Sequence, residues 1–435
     1  MSAADSVVVP YREVERILLQ TEAAKGFEEA AKSDPTLSDL QRATRMAATG
    51  HILTQLRKAE REARPNVLNS PQDALAARFQ SLIASGAGGE LKLTPLPTGG
   101  LEAKFDTKHW AAWGGTWLWA KLFHIVPHAM VRPQTTVANP LPESARIAVL
   151  GDWGTDLYGA PKIARQIKKD KKPYSMLLHL GDVYYTGTNS EEKSRFLDKW
   201  PYRKEATNRA LNSNHEMYSG GDAYFEEALP KFGQDGSYFA YQNRHWTLVG
   251  LDVAFRDHAI DDEQVEWLRT IIRGAGDRRL VLFSHHQLYS HFESQGDKLW
   301  NHSGFGAILK SKRVFAWYWG HEHRCAIFEN PDERFGLYGR CIGHSGMPQS
   351  RSRTRNLPRA PEFEAAEWRR QAAAVVAGNQ LPSCLVLDGP NPYIANEEDE
   401  FSPNGYAVLN FDGPKLTEEV CSAEGVVIYQ RVLVT

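Results

Sequence analysis

Beyond about residue 145, five motifs rich in metal-ligating side chains each follow a short apolar run, and this recurrence constrains the fold more than any other feature. They are Gly151-Asp152-Trp153-Gly154, Gly181-Asp182-Val183-Tyr184-Tyr185, Ser213-Asn214-His215-Glu216, Ser284-His285-His286 and Gly320-His321-Glu322-His323. Apolar runs predict strands over Arg146–Leu150, Ser175–Leu180, Ser237–Tyr241, His245–Leu251, Arg279–Phe283 and Phe315–Trp319. Helical patterns fall between them at Ala160–Lys169 and Asp262–Arg273. Near the end, Gly405–Phe411 and Gly425–Val434 read as strands flanking the turn Asp412-Gly413-Pro414. Such alternation describes a layered α/β domain. Open α/β sheets build their sites outside the carboxyl ends of strands, which is where these motifs fall.

The first third reads differently. Tyr11–Ser33 and Leu37–Ala63 carry apolar residues at three- and four-residue intervals, and Gln72–Ser85 repeats this with Ser70 placed to cap the helix. Gly86–Gly100 is rich in Gly, Thr and Pro and reads as a loop. Trp110, Trp113, Trp117 and Trp119 fit one helical stripe suited to packing on a neighbouring domain, with an interfacial membrane anchor as the alternative. Gly114, Gly115, Lys121, His124, Pro127 and His128 disqualify that stretch as a membrane span. A proline-marked break, Arg132-Pro133 to Pro140-Leu141-Pro142, then divides the chain into an N-terminal mostly helical region (1–143) and the α/β domain (144–435) that carries the five motifs.

Lys+Arg (51) and Asp+Glu (53) nearly cancel, so no basic field marks a nucleic acid or anionic membrane as partner. The four cysteines form no CxxC pair, which removes a zinc ribbon, and Cys325 reads as a buried apolar residue. The N-terminus lacks a basic stretch followed by an apolar run, and a cytoplasmic location is the default expectation.

Oxygen donors from Asp, Asn and Tyr mixed with imidazoles suit Fe, Mn or Zn rather than Ca or a thiolate site. Two ions about 3.5–4 Å apart polarise a phosphoryl oxygen and stabilise a leaving group, and a shared carboxylate offsets their repulsion. His321 and His323, two apart, point oppositely on a straight strand, so both reach one metal pair only if Gly320 begins a turn.

Together the five motifs resemble the calcineurin-like metallophosphoesterase superfamily, and within it the purple acid phosphatase branch. Most of the superfamily has Asp-x-His first; here Gly154 stands where the histidine would be. Purple acid phosphatases pair that change with a tyrosine three residues after the second aspartate, the position of Tyr185, with Tyr184 as its competitor. GDWG and GDVYYTG look like the tartrate-resistant type. The resemblance implies a four-layer α/β/β/α sandwich with two mixed sheets. It implies a ferric site of Asp152, Asp182, Tyr185 and His323, and a divalent site (Fe, Zn or Mn) of Asp182, Asn214, His285 and His321. Asp182 bridges the two, His215 faces the phosphate, and a metal-bound hydroxide attacks phosphorus. The implied activity is a phosphomonoesterase acting on a phosphorylated small molecule. Phosphodiesters or nucleotides are the alternative substrates, and a catalytically silent scaffold is the competing class.

Three positions depart from the pattern. Ser213 replaces a glycine, Gln287 replaces a proline, and Gln295 stands where a leaving-group histidine belongs, leaving His291 as the nearest substitute. His286 reads as a packing neighbour of the ligands, and His258 carries no assigned role. The substrate's identity and the oligomeric state are not legible.

Overall fold

The computed structural model describes residues 50–55, 73–86 and 126–434 apart from 395, with strand pieces Val7–Val8, Lys92–Pro95 and Leu101–Lys104. The expected helix over Tyr11–Ser33, most of Leu37–Ala63, Ser70 and the four tryptophans of the 110–119 stretch lie outside the described residues. The helix expected over Gln72–Ser85 is Ala74–Gly86, and Asp73 caps it through a 2.9 Å bond from the Ala76 amide. Lys92–Pro95, inside the expected loop, pairs antiparallel with Leu101–Lys104.

Two large mixed sheets form the body. In the six-stranded sheet the order is Val427–Val434, Lys415–Ser422, Gly405–Asp412, Ser144–Leu150, Met176–His179, Thr207–Ala210, the last three parallel. The nine-stranded sheet has a parallel centre of Trp246–Gly250, Arg279–Ser284, Val314–Trp319 and Tyr338–Ile342.

Period-2 alternation explains the layering. In Ser144–Leu150, Ile147 and Val149 share one cluster with Val281, Phe283, Ala316 and Tyr318 of the other sheet. Ala148 and Leu150 point the opposite way, against Ala160, Ile163 and Ile167 of the helix Ala160–Lys169. On the far side, Val265, Leu268 and Ile271 of the helix Asp262–Ala275 cover Val249, Leu282 and Trp317. The result is helix, sheet, sheet, helix, with the main core between the sheets.

Some strands differ from the reading above. Asp412-Gly413-Pro414 joins Gly405–Asp412 to Lys415–Ser422, a strand whose charges hide its alternation. Its Glu418 is buried against Arg340, 2.7 Å away. Cys325–Phe328, Glu367–Gln371 and Cys384–Asp388 also escaped detection.

Candidate metal centre

The strands aim five loops at one place. Ser144–Leu150, Met176–His179 and Thr207–Ala210 deliver Asp152, Asp182 and Asn214 from one sheet; Arg279–Ser284 and Val314–Trp319 deliver His285, His321 and His323 from the other. Four of these residues leave their strands through left-handed backbone: Asp152 (φ 57°), Asp182 (φ 75°), His321 (φ 68°) and His323 (φ 52°). Non-glycine residues in that region are strained by about 1–3 kcal/mol each, a pattern that collects at functional sites. The turn expected to begin at Gly320 does begin there, its carbonyl accepting from the Glu322 amide at 2.8 Å, while the left-handed backbone falls on His321 and His323. The glycines serve close approach instead: a Cβ at Gly343 would lie 2.1 Å from Asp152 Oδ2, and one at Gly320 3.1 Å from Asp152 Oδ1.

On one side, the ligand-type atoms of three residues crowd around one imidazole nitrogen. His285 Nδ1 donates to the Leu180 carbonyl at 2.9 Å, which leaves Nε2 a lone-pair nitrogen. Asn214 donates its amide to the Tyr218 hydroxyl at 2.9 Å, which turns its Oδ1 inward. That oxygen lies 2.9 Å from His285 Nε2, Asp182 Oδ1 3.2 Å from the same nitrogen, and His321 Nδ1 also 3.2 Å from it. Asp182 Oδ1 accepts no hydrogen bond. Burial pushes the His285 imidazole down to about 4, and so keeps it neutral. Acceptor atoms this close repel one another unless a cation sits among them, so the donor set fits a divalent metal of borderline softness.

Across Asp182, ligand atoms of Asp152, Asp182 and His323 form a second group within 4.8 Å of one another. Asp152 is oriented by the main-chain amides of His321 (2.9 Å) and His323 (3.3 Å). Burial, and then the neighbouring Asp182 charge, push the Asp152 carboxyl well above its ordinary value. Two carboxylates side by side in a buried site call for positive charge.

The tyrosine at this cluster is Tyr184, not the expected Tyr185. The Tyr184 hydroxyl donates to Asp182 Oδ2 at 3.0 Å and lies 2.6 Å from His323 Nε2. Tyr185 is buried with the Arg195 guanidinium 5.0 Å over its ring, and its carbonyl accepts from His215 Nδ1 at 2.7 Å. The two tyrosines share the turn that follows Val183, and spacing picks Tyr185 whereas the hydroxyl that bonds Asp182 is that of Tyr184.

His215 is buried beside the cluster, its ring 4.0 Å from that of Tyr184. Ser213, the glycine replacement, adopts ordinary extended backbone (φ −132°), and its hydroxyl accepts from the His215 amide at 3.0 Å. Gln287 holds its loop by donating to the Ser294 carbonyl at 3.0 Å.

His291 is not brought into the group. Its Nε2 bonds the Pro382 carbonyl at 2.8 Å, and its ring stacks on Phe328. A different histidine arrives: ligand atoms of His258, His286 and His321 lie within 4.8 Å of one another. His258 bonds Asp257 through Nδ1 at 2.8 Å, and the Nε2 atoms of His258 and His286 are both buried without a hydrogen-bond partner. Their ring centroids lie 3.6 Å apart with the planes tilted by 30°, closer than two imidazoles sharing one metal ion would sit. No motif surrounds His258; the fold alone brings it here.

Two mixed sheets carrying carboxylate, amide and imidazole ligands at their strand ends define a metallophosphoesterase-type α/β sandwich. Residues 145–325 match the family model described as calcineurin-like phosphoesterase. No curated protein matches the chain. Among solved structures it is similar to the purple acid phosphatase PPD1 from seeds of yellow lupin (Lupinus luteus), with 16% identity and a TM-score of 0.44. That match covers 68% of this chain and 55% of the lupin chain, so this chain spans about half the length of its relative. It is also similar to PhoD, with 12% identity and a TM-score of 0.39, covering 70% of this chain and 73% of that one. Among the described residues, no helix is long and apolar enough to cross a membrane.

Proposed function

We propose that the chain is a binuclear metal-dependent phosphoester hydrolase acting on phosphomonoesters. The observation that carries this reading is the crowding of the Asn214 and Asp182 oxygens and the His321 ring nitrogen around His285 Nε2, joined through Asp182 to a second ligand group. Asp182, Asn214, His285 and His321 would hold a divalent ion (Fe, Zn or Mn). Asp152, Asp182 and His323 would hold an iron, with Tyr184 favoured over Tyr185 as its tyrosine. When bound, the two ions supply Lewis acidity and an activated water for attack on phosphorus.

The chain's own groups do the rest. Asp182 bridges. The Asp152 carboxylate is fixed by two amides and so presents a defined face. His215, held through Nδ1 by the Tyr185 carbonyl, faces the phosphoryl group and stabilises its developing charge. His258 and His286 replace His291 as the groups hydrogen-bonding the departing oxygen, because their Nε2 atoms lack partners beside His321.

The test pairs measured metal content with a panel of phosphomonoesters and phosphodiesters. Two metals per chain with monoester turnover is the expected result; fewer than about one metal and no turnover of an activated aryl phosphate would sink the reading. Asp182→Asn should lose both metals. His215→Ala should keep them and lose turnover on the order of 100-fold or more. Equal metal loss in both variants would contradict the roles assigned here.

A further inference from the structure

The matched family segment begins at residue 145, yet a helix some sixty residues earlier touches the loops that carry the ligands. On the helix Ala74–Gly86, Ala76, Ala77, Phe79, Gln80 and Ser81 are all buried, so this is a docked element rather than a surface passenger. Asp73 caps it and is tied by a 2.8 Å bond to His51.

Two of its side chains reach the metal loops. Ser81 Oγ donates to Glu191 Oε1 at 2.9 Å. The same carboxylate accepts the amides of Tyr185 (2.8 Å), Thr186 (3.0 Å) and Thr188 (3.1 Å), and so shapes the loop that follows Asp182 and carries Tyr184. Arg78 Nε donates to the main-chain carbonyl of Tyr218. Tyr218 is the residue whose hydroxyl accepts the Asn214 amide and so points the Asn214 oxygen at His285. One helix therefore stands behind both sides of the candidate centre, a single residue removed from Asn214 on one side and from the Tyr184–Tyr185 loop on the other.

We propose that Arg78 and Ser81 are positioning residues of the metal centre, and that the segment before residue 144 supplies part of the site's supporting shell. The proposal rests on the phosphohydrolase reading above. Groups that orient a ligand set its metal affinity, and their loss weakens binding by about 10–100-fold. Arg78 acts on Asn214 through Tyr218, so its effect falls on the divalent ion. Ser81 acts on the Asp182–Tyr185 loop, so its effect reaches the bridging carboxylate and both ions.

The experiment uses the full chain, with Arg78→Ala and Ser81→Ala beside Arg78→Lys and Ser81→Thr. Metal retained is measured across a chelator titration, with circular dichroism to report folding and kcat and KM on an aryl phosphate. In the alanine variants metal should be stripped at about tenfold lower chelator concentration while the fold persists. The conservative variants should recover most of the loss. Alanine variants that hold metal like the parent overturn the proposal, as do variants that release it only on unfolding. A parent chain that holds no metal overturns the phosphohydrolase reading itself, and this proposal with it. A parent that holds two, with variants indistinguishable from it, overturns this proposal alone.

Discussion

The choice between Tyr184 and Tyr185 decides how the residue scale is read. Both are buried, but only the Tyr184 hydroxyl reaches Asp182 and His323. Burial, then the charges of Asp182 and Asp152, raise the Tyr184 hydroxyl well above its ordinary value, so without a metal it stays protonated and donates to Asp182. A trivalent ion held between these groups would reverse that balance, with the Tyr184 oxygen then available as a ligand. The oxidised iron-loaded protein should then show a visible tyrosinate-to-iron charge-transfer band. Tyr184→Phe should abolish it and Tyr185→Phe should keep it; the opposite pattern would return the ligand to Tyr185. Six of the other proposed ligands were legible because their types recur at strand ends, a pattern that chance rarely repeats five times. The tyrosine was not, because Tyr184 and Tyr185 lie side by side in one turn, where no periodic pattern fixes which ring faces the carboxylates. His258 was invisible for another reason: it enters on a loop with no pattern of its own, and its neighbour His286 lies on a different strand's end.

At the scale of elements, close packing governs where the ligands can stand. The strand Tyr338–Ile342 ends at Gly343, whose missing side chain leaves room for the Asp152 carboxylate. Gly343→Ala would drive a methyl into Oδ2, and Asp152 cannot retreat without losing its bonds to the His321 and His323 amides. Overpacking of this kind costs about 1–3 kcal/mol. The expected outcome is loss of the ion on the Asp152 side with a modest drop in stability, read by metal analysis and urea unfolding. A variant with two metals and the parental midpoint would show that the carboxylate is free to move. The same strand explains why parts of the fold were hard to read. Tyr338–Ile342 contains Gly339 and Arg340, and Glu367–Gln371 contains Arg369 and Arg370. Their charges are matched inside the protein, Arg340 with Glu418 at 2.7 Å and Arg369 with Asp388 at 3.0 Å. Apolar periodicity finds strands that bury hydrocarbon on their inward faces. It passes over strands that bury paired charges, as Tyr338–Ile342 does inside the nine-stranded sheet and Glu367–Gln371 at its edge.

For the whole molecule, the centre is a seam as well as a site. Its ligands come from both sheets, so ions held there join the two halves of the sandwich at the strand ends, where the apolar core stops. Without cations, the lone pairs around His285 and the adjoining Asp152 and Asp182 oppose that closure. Ions that bind the folded chain and not the unfolded one stabilise it by mass action, about 4 kcal/mol when free metal exceeds Kd a thousandfold. For a domain of this size each kcal/mol moves Tm by roughly 2–4 °C. The sign is fixed, since stripping the ions removes a ligand of the native state alone, so Tm must fall. Calorimetry of the metal-loaded and chelator-treated chain should show a midpoint lower by about 8–16 °C on these figures. Re-addition of the divalent ion alone should restore part of the loss, because Asp182, Asn214, His285 and His321 already span both sheets. A midpoint that does not move on chelation would mean that the ligand groups close on each other without metal, and that the repulsion between them is relieved by some other arrangement of protons.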